Sequence, residues 1–226
     1  MWYKLKTFEI MKKIVTVLLV FVSFVVTAQE RRFGKEIDAF KHADSLKPPA
    51  KNAIVFVGSS SFRLWKDLQD DFPDYPVINR GFGGSSLPHV IENAEAIIID
   101  YEPKQVVIYC GENDFMSDTV TSEIVVDRFK TLFSLLRKEL PRAKISFVAM
   151  KPSPSRQRLK SEIGAANIAI RDFLKKQRRA SYINIWDPML DEKGNPRPEL
   201  FLKDMLHMNE KGYAIWQEAI RPHLVR

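Results

Sequence analysis

The chain has 226 residues, 45% of them hydrophobic, which suits one or two domains with a substantial core and excludes disorder as the main state. Its single cysteine, Cys110, excludes an internal disulfide and a zinc site built from cysteines. The formal net charge is +7, but without residues 1–28 the remaining 31 basic and 27 acidic residues give only +4, so we expect no nucleic-acid partner.

The first predicted element is a targeting segment. Two lysines precede an apolar run over residues 14–26, and the run ends in the small-residue pattern VTA. This pattern is typical of a secretory signal peptide over residues 1–28, cleaved near Ala28, with Met11 as the natural start. A membrane anchor is the alternative, although the run is shorter than the ~20 residues that a spanning helix needs. We therefore expect residues 29–226 to form a single extracytoplasmic domain, periplasmic or secreted, without a stable membrane span.

Short apolar runs alternate with amphipathic segments after a polar helical lead-in at 36–46. The predicted strands share an enrichment in Val, Ile, Phe and Tyr and occupy residues 53–57, 77–78, 105–109, 144–149 and 182–185. The predicted helices have apolar residues three and four positions apart and occupy residues 87–101, 124–139, 157–177 and 210–223. Strands alternating with helices predict an α/β protein with three layers, in which helices cover both faces of a mostly parallel five-stranded sheet.

Glycine and small polar residues follow the first three predicted strands. The sequences are GSSS at 58–61, RGFGGS at 80–85 and CGEND at 110–114. Glycine lets the backbone approach a ligand closely, and ligands of such sheets bind beyond the carboxyl ends of the strands. These three segments are therefore the candidate site.

Two common glycine motifs are excluded. A dinucleotide fingerprint beginning at Gly81 requires a third glycine where Ser86 stands, and no Walker sequence is present. The nucleophile elbow of α/β-hydrolases requires glycine two residues after its serine, whereas Ser60 is followed by Ser61 and Phe62. Hydroxyl chemistry of another kind remains.

A serine hydroxyl attacks a carbonyl at neutral pH only when an imidazole accepts its proton and a carboxylate orients that imidazole. His42 lies in the lead-in helix, His223 lies near the end of the chain, and His89 begins a predicted helix. His207 has Asp204 three residues before it, close enough for one loop to aim the carboxylate at the ring. This pair alone is weak evidence and gains weight from the three glycine-rich strand ends.

The three glycine segments followed by the pair of Asp204 and His207 form four sequence blocks. In this order the blocks resemble those of the SGNH/GDSL family of serine esterases and lipases, over about residues 54–224. The resemblance implies that Ser60 is the nucleophile and that His207 and Asp204 complete a catalytic triad. It also implies an oxyanion hole formed by Ser60, Gly84 and Asn113, a flavodoxin-like sheet, and no metal or organic cofactor. The family aspartate is replaced by Ser59 in this chain, which removes no catalytic group.

The resemblance implies a serine esterase that hydrolyses carboxylic esters. The predicted signal peptide makes it a secreted enzyme that meets glycans and phospholipids, which slightly favours short acyl or acetyl esters. The stretch at 59–65 and the later KPSP at 151–154 look most like those of bacterial lysophospholipase-like and platelet-activating-factor-acetylhydrolase-like esterases. A lysophospholipase or acyl-thioesterase acting on longer chains is the alternative, and a catalytically silent binding module is the alternative of another class. The expected partner is a small-molecule, glycan or lipid ester, and the sequence leaves the oligomeric state open.

Each site residue also has a purely structural interpretation. Ser60 could cap a helix, Gly84 could serve a turn, and Asn113 could bond loop backbone groups. Asp204 and His207 could cap the last helix. Cys110 is interpreted as a small buried core residue rather than a nucleophile.

Overall fold

A computed structural model describes residues 32–226, and the predicted signal peptide lies outside them. The chain divides into two units, Met1–Asp38 and Ala39–Arg226, and the second contains the sheet. A single domain over residues 29–226 stays a prediction. The described strands are β1 Ile54–Gly58, β2 Val77–Gly81, β3 Gln105–Tyr109, β4 Lys144–Val148 and β5 Ala180–Ile183. The described α-helices are α1 Gly34–Leu46, α2 Ser60–Arg63, α3 Leu68–Asp71, α4 Leu87–Glu92, α5 Ala94–Ile97, α6 Ser122–Glu139, α7 Lys160–Leu174 and α8 Glu210–Ile220.

The five strands form one sheet in the order β2-β1-β3-β4-β5, and all four pairings are parallel. This confirms the predicted α/β fold class. The chain passes from β1 to β2 on one side and then returns to place β3 on the other side of β1. In a sheet of this order, the carboxyl ends of β1 and β3 border the crevice where ligands bind.

Alternate residues of each strand face opposite layers, as the two-residue period of a strand requires. On one face, Phe56 packs in a buried aromatic cluster with Phe62 of α2 and Trp216 of α8. On the other face, Phe147 of β4 packs against Phe129 of α6, with 4.8 Å between the ring centroids. Both faces are thus covered, and the site must lie at an edge.

Several predicted elements have different bounds, and for three of them a local polar group or a proline explains the difference. The predicted helix at 87–101 is interrupted at Asn93, whose side chain donates to the carbonyl oxygen of His89 at 2.8 Å. Strand β5 ends two residues early because the Asn184 side chain accepts hydrogen bonds from the following N–H groups. The last helix ends at Ile220, just before Pro222.

The helix predicted at 157–177 begins only at Lys160. Residues Pro154–Leu159 form a 3₁₀ segment instead, and the backbone of Arg156 leaves helical geometry there. The segment places Arg156 beside the end of β3 rather than on the surface of a regular helix.

Gly58 is the point where β1 and β3 approach most closely. Its φ is +141°, and an added Cβ would lie 1.8 Å from the carbonyl oxygen of Tyr109. That distance is far below any van der Waals contact, so only glycine fits at the end of β1. Ser59 then follows with its N–H donating to the same carbonyl at 3.1 Å.

We predict that Gly58→Ala lowers the free energy of unfolding by about 3 kcal/mol, because the methyl group must displace backbone of the neighbouring strand. Gly164→Ala is the matched control. Gly164 lies inside helix α7, and an added Cβ would meet the Trp186 side chain at 3.7 Å, which is an ordinary van der Waals distance. The control should gain about 0.5–1 kcal/mol from better helix propensity. Urea unfolding of both variants measures the difference, and equal stabilities would contradict the close approach.

Candidate active site

Ser60 is the first residue of α2 and comes two positions after the end of β1. The residue at the helix N-cap is Ser59, in extended conformation, so Ser60 itself does not cap the helix. The half-buried Ser60 Oγ lies 3.0 Å from Nε2 of His207, which is 147 positions away along the chain. The structure therefore brings the predicted serine and histidine into hydrogen-bond contact.

Asp204 orients His207 through both of its carboxylate oxygens. Oδ2 lies 2.6 Å from Nδ1 of the imidazole, while Oδ1 accepts the backbone N–H groups of Leu206 and His207 at 3.0 and 2.9 Å. A proton on Nδ1 leaves Nε2 as an acceptor for the Ser60 hydroxyl. Desolvation raises the pKa of Asp204, but the hydrogen bonds from His207 and Leu206 outweigh it and lower the pKa to about 2.

The loop carrying Asp204 and His207 is anchored at both ends. Leu202 N–H donates to the His207 carbonyl oxygen at 2.7 Å, and Phe201 and Met208 form an antiparallel bridge. The side chain that caps α8 is that of Asn209, which accepts the N–H groups of Lys211 and Gly212. The interpretation of Asp204 and His207 as a cap of the last helix is therefore wrong.

The loops of Gly84 and Asn113 are joined through Ser85, the residue that follows Gly84. The Asn113 Nδ2 group donates to the Ser85 carbonyl oxygen at 2.9 Å, and Ser85 Oγ donates to the Gly58 carbonyl oxygen at 3.0 Å. Gly84 has φ +75°, and an added Cβ would face open space. Within residues 32–226, the backbone N–H groups of Ser60 and Gly84 donate no hydrogen bond, so both are available to a ligand.

A largely buried polar cluster adjoins Asn113 and is made of Tyr109, Glu112, Lys151 and Arg156. The Glu112 carboxylate accepts hydrogen bonds from Tyr109 Oη and, at 2.6 Å, from Lys151 Nζ. Burial by itself raises the pKa of Glu112, but the charges of Lys151 and Arg156 hold that pKa below its usual range. No sequence motif marks this cluster, because its members are ionisable residues scattered over three segments, with Tyr109, Glu112 and Lys151 buried and Arg156 partly buried.

The structure distinguishes Ser60 from two neighbouring nucleophile candidates. The Ser61 Oγ atom is buried and has no hydrogen-bond partner in the described part of the chain. Cys110 is buried at the end of β3, and burial raises the pKa of its thiol well above the usual value. Cys110 is therefore a core residue, as predicted, with its Sγ near the Ser85 carbonyl oxygen at 3.7 Å.

The other histidines are engaged elsewhere. The Nδ1 atom of His89 lies 2.8 Å from Ser86 Oγ and accepts the Ser86 N–H, which caps helix α4. His223 lies in a 3₁₀ segment after α8, and its backbone carbonyl oxygen accepts a hydrogen bond from Lys144 Nζ at 2.7 Å. His42 is exposed on α1. His207 is thus the histidine that the fold brings to Ser60.

Three large hydrophobic residues that are close in sequence to the site residues are exposed. Met116 lies three residues after Asn113, and Leu202 and Met205 flank Asp204; all three are among the large hydrophobic residues that remain exposed. A cleft of about 640 Å³ adjoins the His207 loop through Leu202 and Met208. Ser60 does not line this cleft, so it can hold only a part of a substrate that extends away from the reacting atoms.

Among residues 32–226, no three His, Cys, Asp or Glu side chains are grouped as ligands for a metal ion. None of the helices in that range is long and apolar enough to cross a membrane.

Comparisons with known proteins agree with this geometry. The model of the GDSL-like Lipase/Acylhydrolase family matches residues 54–215. A GDSL lipase of Mycobacterium tuberculosis is 27% identical over 150 residues, which cover 65% of this chain and 62% of that protein. An isoamyl acetate-hydrolyzing esterase of Schizosaccharomyces pombe is 26% identical over 141 residues, covering 60% of this chain and 56% of that protein. The chain therefore spans less than two thirds of the length of these relatives.

A solved structure shows the same fold. The crystal structure of a GDSL-like lipase from Bacteroides thetaiotaomicron superposes with a TM-score of 0.71 at 20% sequence identity. The superposition covers 83% of this chain and 96% of that one. At this level of identity the similarity establishes the arrangement of the sheet and helices.

Proposed function

Because this chain belongs to the GDSL-like lipase/acylhydrolase family, we propose that it is an esterase that hydrolyses carboxylic esters through an acyl-enzyme on Ser60. The observation that carries the proposal is the hydrogen-bonded series from Ser60 Oγ to His207 Nε2 at 3.0 Å and from His207 Nδ1 to Asp204 at 2.6 Å. This series has the donor and acceptor order that activates a serine hydroxyl.

In the proposed reaction, Ser60 Oγ attacks the ester carbonyl carbon while His207 Nε2 accepts the hydroxyl proton. The Asp204 carboxylate stabilises the imidazolium that forms. The negative charge on the carbonyl oxygen is received by the backbone N–H groups of Ser60 and Gly84 and by the Asn113 amide, each worth roughly 10²–10³-fold in rate. His207 then protonates the leaving alcohol, and water attacks the acyl-enzyme with His207 again as the base.

Short acyl groups are the first substrate class proposed. One relative is named for hydrolysis of isoamyl acetate, an acetyl ester, and it matches 60% of this chain. A second candidate is hydrolysis of longer acyl esters. The exposed Met116, Leu202 and Met205 favour it, since they offer apolar surface to an acyl chain.

We predict that the protein hydrolyses p-nitrophenyl esters and that Ser60→Ala reduces turnover by at least about 10³-fold, because within residues 32–226 the hydroxyl that contacts the His207 ring is that of Ser60. A series from acetate to palmitate measures the acyl preference: a maximum at acetate or butyrate supports the short-acyl proposal, and a maximum at longer chains supports the second candidate. Ser61→Ala is the matched control and should retain turnover. Equal rates for wild type and Ser60→Ala would contradict the mechanism, and a folded protein without any turnover would favour a silent binding module.

We also predict a single acid limb in the pH profile of turnover. The imidazole must be neutral to accept a proton, so the rate should fall toward acid pH. Asp204, with a pKa of about 2, stays ionised and adds no second limb in the acid range down to about pH 4. The exposed His42→Gln is the control and should leave the profile unchanged. A rate that stays flat between about pH 5 and about pH 8 argues against His207 as the base.

The proposal includes an extracytoplasmic location, which rests on the sequence of residues 12–28 alone. Expression of residues 1–226 in a bacterium, followed by N-terminal sequencing of the protein, tests it. A mature protein that begins at Gln29 in the periplasm or medium is the expected result. An uncleaved chain retained in the membrane fraction would favour the anchor, and an uncleaved chain in the cytoplasm would contradict export.

A further inference from the structure

The orientation of the Asn113 amide is fixed by two partners of opposite polarity. Arg156 Nη2, which can only donate, donates to Asn113 Oδ1 at 2.8 Å. The Ser85 carbonyl oxygen, which can only accept, accepts from Asn113 Nδ2 at 2.9 Å. A flipped amide would face a donor with its NH₂ group and an acceptor with its oxygen. One N–H of Nδ2 is left over, and it is the one that an oxyanion can use.

Arg156 is itself held by the segment that it supports. Its Nη1 atom donates to the backbone carbonyl oxygen of Glu112 at 2.8 Å and lies 3.4 Å from Glu112 Oε1. The guanidinium fork therefore spans two consecutive residues of the loop after β3. The Arg156 side chain is only 12% exposed, so water competes little for these hydrogen bonds.

The anchor beneath Arg156 is the buried pair of Glu112 and Lys151. Their side chains are 4% and 3% exposed, and Lys151 Nζ lies 2.6 Å from Glu112 Oε2. Lys151 and Arg156 thus both contact one buried carboxylate, which holds Arg156 against the loop of Asn113.

The segment that carries Arg156 also contacts the other half of the site. The neighbouring Ser155 N–H donates to the carbonyl oxygen of Met205, within the loop of Asp204 and His207, at 3.1 Å. Residues 155 and 156 therefore join the Asn113 loop to the His207 loop.

We propose that Arg156 is a positioning residue that holds the Asn113 amide in the orientation needed to receive the oxyanion. The inference rests on the proposed function, in which Asn113 supplies one of the oxyanion donors. Arg156 acts through Asn113 and not on the substrate. Its loss should therefore lower the rate of the chemical step and leave the affinity for the ester nearly unchanged.

The test is a double-mutant cycle of Arg156→Ala and Asn113→Ala, read by two measurements. The first is kcat and KM for p-nitrophenyl acetate. The second is the rate at which a fluorophosphonate labels Ser60: Oγ attacks phosphorus, fluoride leaves, the proton passes to His207, and the phosphonyl oxygen occupies the oxyanion position. The labelling rate needs no turnover, so it reports on the site whatever the natural ester is. Thermal unfolding of each variant is measured in parallel.

We expect Arg156→Ala to lower kcat and the labelling rate by about 10–100-fold with KM changed by less than about twofold. In the Asn113→Ala background, removal of Arg156 should change either rate by less than about twofold, because the group it positions is gone. Arg156→Lys should recover part of the loss, since an ammonium keeps the charge but cannot span both contacts. If Arg156→Ala does not fold, Arg156→Lys replaces it in the same double-mutant cycle.

Arg158→Ala is the matched control, because this exposed arginine two residues away pairs only loosely with Asp118, at 3.8 Å. It should retain wild-type rates. The inference is overturned if the Arg156→Ala loss persists in full in the Asn113→Ala background, or if it appears in KM rather than kcat. If Asn113→Ala alone leaves both rates at the wild-type level, the oxyanion assignment in the proposed function fails instead.

Discussion

The approach of β1 to β3 at Gly58 is the constraint on which the rest of the site depends. Tyr109 presents its carbonyl oxygen where a Cβ of residue 58 would lie, and that carbonyl accepts the Ser59 N–H at 3.1 Å. The Gly58 carbonyl oxygen accepts the Phe82 N–H at 2.9 Å and Ser85 Oγ at 3.0 Å. One glycine thus sets where three loops leave the sheet, and these loops carry Ser60, Gly84 and Asn113. A larger residue at this point would separate the nucleophile from the groups proposed to receive the oxyanion.

The fourth loop, which carries His207, comes from far along the chain and needs its own supports. Phe201 and Met208 close it as a bridge, and Tyr213 Oη on α8 donates to the Ser61 carbonyl oxygen at 2.8 Å. The second contact ties α8 directly to the short helix that begins with Ser60. The His207 loop and Ser60 are therefore both held by α8. This keeps Ser60 and His207, which are 147 positions apart, within hydrogen-bond distance. The polar cluster of Tyr109, Glu112, Lys151 and Arg156 supports the loop of Asn113.

The sequence predicted what depends on local patterns. Apolar runs predict the strands, and glycine with small polar residues marks the carboxyl ends that carry Ser60, Gly84 and Asn113. The choice of His207 rests instead on its spacing from Asp204 and on the family resemblance. Helix 87–101 and strand 182–185 had wrong bounds because Asn93 and Asn184 bond to the backbone, and a hydrophobic pattern does not report such bonds. Arg156 was not identified because its role comes from a kinked 3₁₀ segment and from partners 43 and 44 positions away. No periodicity in the sequence encodes that contact.

The central claim is that Ser60 becomes covalently acylated, and rapid quenching measures this most directly. The protein is mixed with p-nitrophenyl acetate, quenched in acid within the first turnover, digested and examined by mass spectrometry. An acetyl group is expected on the peptide that contains Ser60, with its amount rising before steady state, and none is expected on that peptide in Ser60→Ala. Turnover without any acetylated serine, or acetylation at Ser61 or Cys110 instead, would contradict the central claim.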